Sequence, residues 1–126
     1  MADEKMMTVA TDYRREMLCK ITSGAVDTIP KITHIAFGSG GVDSAPTGTQ
    51  TALNQEEGRY EIDSVTYPKP TTARYTVTIP EDDLAGVSIS EAALVDESGG
   101  LCAIRHMLPK GKDTGVTFIF TFDDEF

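Results

Sequence analysis

Alternation of apolar and polar positions is plainest between Val87 and Leu108, where two runs, VSISEAALV and LCAIRHML, flank Asp96-Glu97-Ser98-Gly99-Gly100. Those five residues tolerate tight or left-handed backbone, so the pattern predicts a β-hairpin around which the chain is organised. With all five in the loop, Val95 faces Leu101, Ala93 faces Ala103, Glu91 faces Arg105 and Ile89 faces Met107. The Glu91–Arg105 pair would then fix the register, because a one-residue slip sends every apolar side chain to the other face. A two-residue loop at Gly99-Gly100 would instead pair Val95 with Ile104.

The period becomes helical near the start. Thr11 or Asp12 can cap a helix that puts Tyr13, Met17, Leu18 and Ile21 on one side and Arg14, Arg15, Glu16 and Lys20 on the other, and Ser23-Gly24 ends it. Residues 11–24 are therefore expected to be helical and 1–10 flexible. A helix this short needs a surface to dock on.

Ile32–Phe37 is apolar at nearly every position, which predicts a strand buried on both faces. It runs into Gly38-Ser39-Gly40-Gly41 and a small-residue loop reaching Gly48, and Thr49–Leu53 reads as a short ordered piece. Arg59–Tyr67 reads as a strand with a parity shift at Asp63-Ser64, since Tyr60 and Ile62 share one face and Val65 and Tyr67 the other. A bulge would reconcile them, and Pro68 and Pro70 end the strand.

Arg74–Ile79 alternates with Tyr75, Val77 and Ile79 inward, and Pro109–Asp113 is a turn-rich basic link. In Gly115–Phe122, residues Val116, Phe118, Phe120 and Phe122 share a face, and three phenylalanines at about 2 kcal/mol each predict the strand that anchors the core. The sum is one domain over residues 1–126. It is mainly β with one N-terminal α-helix, an antiparallel β-sandwich-like body of about six strands spanning 31–122.

A net charge of −9 changes the range of partners. Nucleic acids and anionic membranes are bound through clustered Lys and Arg, so neither is expected. No apolar run is long enough to cross a bilayer, and MADEKMM lacks the layout of a signal peptide, so a soluble, cytoplasmically made chain is expected.

Chemistry is scarce. Cys19 and Cys102 lie far apart and read as reduced, small hydrophobes. With His34 and His106 they show no metal-ligand spacing. Gly38-x-Gly40-Gly41 lacks the third glycine or lysine of a phosphate loop, and a proline-containing loop follows where a helix should begin. The acids cluster as Glu81-Asp82-Asp83, Asp96-Glu97 and Asp123-Asp124-Glu125, without the alternation of a calcium loop, and read as solvated. No serine sits in a nucleophile elbow. The expectation is no enzyme, no metal and no cofactor.

Three segments in order carry a likeness: TDYRREMLCKITSGAVDTIPKITHIAFGSGG, PTGTQTALNQEEGRYEIDSV and VSISEAALVDESGGLCAIRHM. They supply a helix, then a strand entering a glycine loop (Ala36 to Gly41), a Thr-Gln-Thr-Ala-Leu box (Thr49 to Leu53) with Arg59-Tyr60, and an Ile-x-Glu-x-x-Leu-x-Asp strand (Ile89, Glu91, Leu94, Asp96) turning on glycine. The set resembles the N-terminal domain of phage tail-collar fibre proteins. That resemblance implies a structural part of a phage tail or related contractile particle, assembled in the bacterial host cytoplasm. It implies contacts with other tail and baseplate proteins and with copies of itself, trimers being favoured. Receptor binding, which belongs to the family's shaft and tip, is not carried over.

The candidate assembly contacts are the loop Gly38, Ser39, Gly40 and Gly41 and the helix face Tyr13, Met17, Leu18 and Ile21. The alternative for these is an ordinary loop and a core-docked helix. The rival function is a small carbohydrate-binding β-module presenting Tyr60, Tyr67 and Tyr75.

Overall fold

A computed structural model describes residues 7–42 and 44–126. Its elements in chain order are β1 (Thr8–Ala10), α1 (Asp12–Thr22), β2 (Ile32–Gly38), β3 (Glu56–Glu61), β4 (Ser64–Lys69), β5 (Thr72–Ile79), β6 (Ser88–Asp96), β7 (Leu101–Gly111) and β8 (Phe118–Glu125). Two antiparallel sheets form, ordered β1-β7-β6-β2-β3 and β4-β5-β8. The mainly β, sandwich-like class read from the sequence is what the structure shows, with eight strands among the described residues rather than six.

β6 lies at the centre of the larger sheet, and every residue from Ile89 to Asp96 is buried. Alternation sends Ala92 and Leu94 toward the smaller sheet, where they pack with Ile35, Phe37, Val77, Ile79 and Phe122. Ala93 and Val95 point the opposite way, into a second cluster with Ala36, Leu101, Ile104 and Leu53. Leu53, from the Thr-Gln-Thr-Ala-Leu box, therefore roofs the outer face. Burying both faces of β6 is what makes its polar residues, described below, internal.

The hairpin register departs from the expected one after its first pair. Val95 does face Leu101, but Leu94 faces Ala103, so Cys102 is an extra residue on β7. Such a bulge advances the register by one. Ala93 then faces Ile104, Arg105 lies opposite Ala92, and Glu91 lies opposite His106 rather than Arg105. A second irregularity sets Ile89 against Lys110 instead of Met107. The Arg105 guanidinium sits 5.9 Å from the centroid of Phe122.

Other expectations are corrected in the same way. Residues 1–6 lie outside the described residues, but Thr8–Ala10, expected to be flexible, is a strand paired with β7 from Arg105 to Ala103. The parity shift at Asp63-Ser64 is a change of sheet, not a bulge, since Glu61 pairs in the larger sheet and Ser64 in the smaller. β7 continues through Pro109 to Gly111, where a link was expected. β8, expected to anchor the core, is the edge of the smaller sheet, and of its phenylalanines only Phe122 is fully buried.

α1 starts where the sequence placed it. Thr11 caps it, its Oγ1 accepting from Arg14 N–H at 3.2 Å while donating to the Leu101 carbonyl at 2.6 Å. Asp12 in the first turn and Lys20 in the last suit the helix dipole. Gly24, at φ +85°, takes the left-handed position beyond the end. Tyr13 and Met17 pack against the core. Arg14, assigned to the solvent side, instead turns inward.

Candidate assembly surfaces

The glycine loop is built onto Glu91. This side chain is fully buried, and Oε2 accepts from Gly40 N–H and Gln55 N–H, each at 2.8 Å, while Oε1 accepts from Asn54 N–H at 2.9 Å. Three charge-assisted bonds draw the two loop segments onto β6. Close approach is what demands glycine. A Cβ on Gly38 would lie 2.4 Å from the Gln55 carbonyl oxygen, one on Gly40 2.6 Å from Asn54 Cβ, and one on Gly41 2.1 Å from the Ser90 carbonyl oxygen.

Ser39 N–H donates to Gln55 O at 3.0 Å, Gly41 N–H to Ser90 Oγ at 2.9 Å, and Asn54 Nδ2 to Gly40 O at 2.9 Å. Gly38 and Gly41 are buried and Ser39 and Gly40 half-buried, so this loop acts as a latch within the fold. His106 closes it from the far side. Its Nδ1 lies 2.5 Å from the Ser44 carbonyl, which only accepts, so Nδ1 carries the proton. Its buried Nε2 has no hydrogen-bond partner among the described residues and lies 3.8 Å from Glu91 Oε1.

Asp96 organises the other end of β6. Oδ1 accepts from Ser98 N–H and Gly100 N–H, both at 3.0 Å, and from Ser98 Oγ at 2.7 Å, and the Tyr13 hydroxyl donates to Oδ2 at 2.7 Å. Burial pushes the carboxyl up, but the bonds from Ser98, Tyr13 and the Gly100 and Ser98 amides outweigh it and keep the carboxyl below its ordinary range. Next to it, burial and then the Asp96 charge push the Cys102 thiol up to about 12. The half-buried Tyr13 thus ties α1 to the β6–β7 turn through its hydroxyl. Glu91 and Asp96, two acids in one family-like motif, each tie a loop to the same strand. Sequence reasoning missed both roles, and the one available signal was an acid inside an otherwise apolar run.

A third junction joins α1 to β8, where Arg14 grips Asp124 in a bidentate ion pair and lies 4.9 Å from the ring centroid of Phe126. Asp124, expected to be solvated, is buried. Beside this junction opens a groove of about 400 Å³, with Met17 and Leu18 on the helix side, Val65, Tyr67 and Tyr75 on the sheet side, and Cys102 among the residues lining it. Ile29, Pro30, Lys31, Ile32 and Phe126 also line it.

Of the expected helix face, Met17 and Leu18 reach this groove and Tyr13 and Ile21 do not. Of the three tyrosines proposed for carbohydrate, Tyr67 and Tyr75 line it. Tyr60 packs on Phe37 with ring centroids 6.1 Å apart, and burial and a hydrogen bond with Asp83 push its phenol up to about 12. They form no common platform. Among the described residues no group of three or more His, Cys, Asp or Glu stands together to hold a metal, and no helix is long and apolar enough to cross a membrane.

The family model described as phage tail-collar fibre protein, N-terminal, matches residues 2–116. No curated protein and no solved structure matches the chain.

Proposed function

Since the chain belongs to the phage tail-collar fibre protein family, a structural component of the phage tail, we propose that it fastens a fibre to the baseplate through protein–protein contacts. The family match over residues 2–116 carries this reading. The architecture supports it: three loop and helix junctions are tied internally by Glu91, Asp96 and Arg14, which leaves a rigid body whose work is done by its outer surfaces. The protein acts in several copies, three being the number favoured by the resemblance, and joins the tail in the bacterial host cytoplasm before release.

Deleting the gene and imaging the resulting particles tests the role. Tails that assemble without their fibres are the expected result, and particles with a full set of attached fibres would refute it. Sedimentation of the purified chain measures the copy number.

A further inference from the structure

We propose that the groove between α1 and β4 receives an extended segment of a neighbouring tail protein, which runs beside β4, buries apolar side chains against Met17, Val65 and Tyr67, and sets a carboxylate on Lys31. The inference rests on the tail-assembly reading and adds to it a surface and the chemistry of the partner. Val65, Tyr67 and Phe126, all groove residues, are 40%, 72% and 69% exposed, an apolar concentration of the kind that marks interaction sites.

Backbone supplies the second half of the site. β4 pairs with β5 alone, all six of its residues are exposed, and its outer edge offers unpaired amide and carbonyl groups to an added strand. Pro68 has no N–H to give, which confines the pairing to Ser64–Tyr67. Every strand among the described residues already has a place in one of the two sheets, so the added one comes from another chain, and the tail-assembly reading makes that chain a neighbouring tail protein.

Charge names the partner's chemistry. In a chain of net charge −9, the groove is lined by Arg14 and Lys31 and by no acid. Arg14 is taken by Asp124, whereas Lys31 is exposed and makes no ion pair among the described residues. An apolar segment carrying Asp or Glu is what fits.

The test titrates each protein encoded beside this one, purified singly, into the wild-type chain, Tyr67→Asp, Lys31→Glu and the opposite-edge control Ile119→Asp, with thermal melts to show that all four fold. One neighbour should bind the wild type and the control equally, lose about tenfold or more in affinity for the two groove variants, and recover affinity for Lys31→Glu when its own acid is changed to Lys. Unaltered binding by both groove variants would overturn the groove alone. Self-association abolished by Tyr67→Asp would put a second copy there instead and overturn the choice of partner. If no tail protein binds the wild type, the tail-assembly reading falls as well.

Discussion

The ring of Tyr13 occupies the space a side chain on Gly100 would need, a Cβ there falling 2.2 Å from Tyr13 Cε2. Helix α1 therefore reaches the β6–β7 turn only because that turn carries a glycine. Gly100→Ala should push the ring away, break its bond to Asp96 and cost about 1–3 kcal/mol by overpacking. Tyr13→Phe keeps the ring and loses only the hydroxyl, at about 1 kcal/mol. Urea denaturation of both variants checks the order, and a Gly100→Ala midpoint equal to wild type would contradict the packing argument.

Glu91→Gln places an amide N–H₂ against backbone donors that now meet a carboxylate. The expected loss is about 1–3 kcal/mol, rising to roughly 3–5 kcal/mol for Glu91→Ala, which strands three amides. Hydrogen exchange localises the damage: the Gly40, Asn54 and Gln55 amides should lose protection well before those of β6. Unchanged exchange at those three would mean the carboxylate does not secure the loop.

Acid should act through Asp96. Its carboxyl is held below the ordinary value of about 3.9, so the stabilisation is fully present above that value and disappears as the pH falls through the lower, folded-state value. Asp96→Asn keeps an acceptor for the two turn amides but cannot titrate. Its stability below about pH 4 should fall less steeply than that of wild type. Asp123, also held down, first by its bond from Arg74, preserves part of the slope in both proteins. Thermal melts across the acid range make the comparison, and identical slopes would exclude Asp96 as a source.

The two thiols should behave differently toward an alkylating reagent. Cys19 is exposed on α1, whereas Cys102 is buried and its thiol is pushed up to about 12. Since the thiolate is the reacting form, the native chain should label once, at Cys19, and twice only in denaturant. Mass spectrometry of the labelled peptides reads this directly. Rapid native labelling of Cys102 would show that the region opens freely.

Local pattern made the helix, the hairpin turn and the inward faces of β5 legible, because capping residues, a glycine-rich turn and strict alternation act within a few neighbours. It failed where a residue's role is set by chain far away. Nothing near Cys102 announces a bulge, so simple alternation matches Glu91 to Arg105 where the structure sets it against His106. The phenylalanines of β8 alternate as a core strand would, yet an edge position leaves Phe118 and Phe120 only half covered. Gly38 to Gly41 have the composition of an open loop, and only the Glu91 carboxylate arriving from β6 shows that their missing side chains make room for backbone contact. The groove was half legible, in Met17 and Leu18, because its other wall comes from a different sheet.

The order of the smaller sheet has a bearing on biogenesis. β5 finds β4 immediately, but its other neighbour is β8, with Val77 meeting Phe120 across a long stretch of intervening chain. While the polypeptide leaves the ribosome, the second edge of β5 stays unpaired until residues 118–125 emerge, and closing so distant a pair is the slow step for a β topology. Nascent chains stalled before that point present a naked, sticky ribbon, and crowding among several copies made on one messenger would begin there.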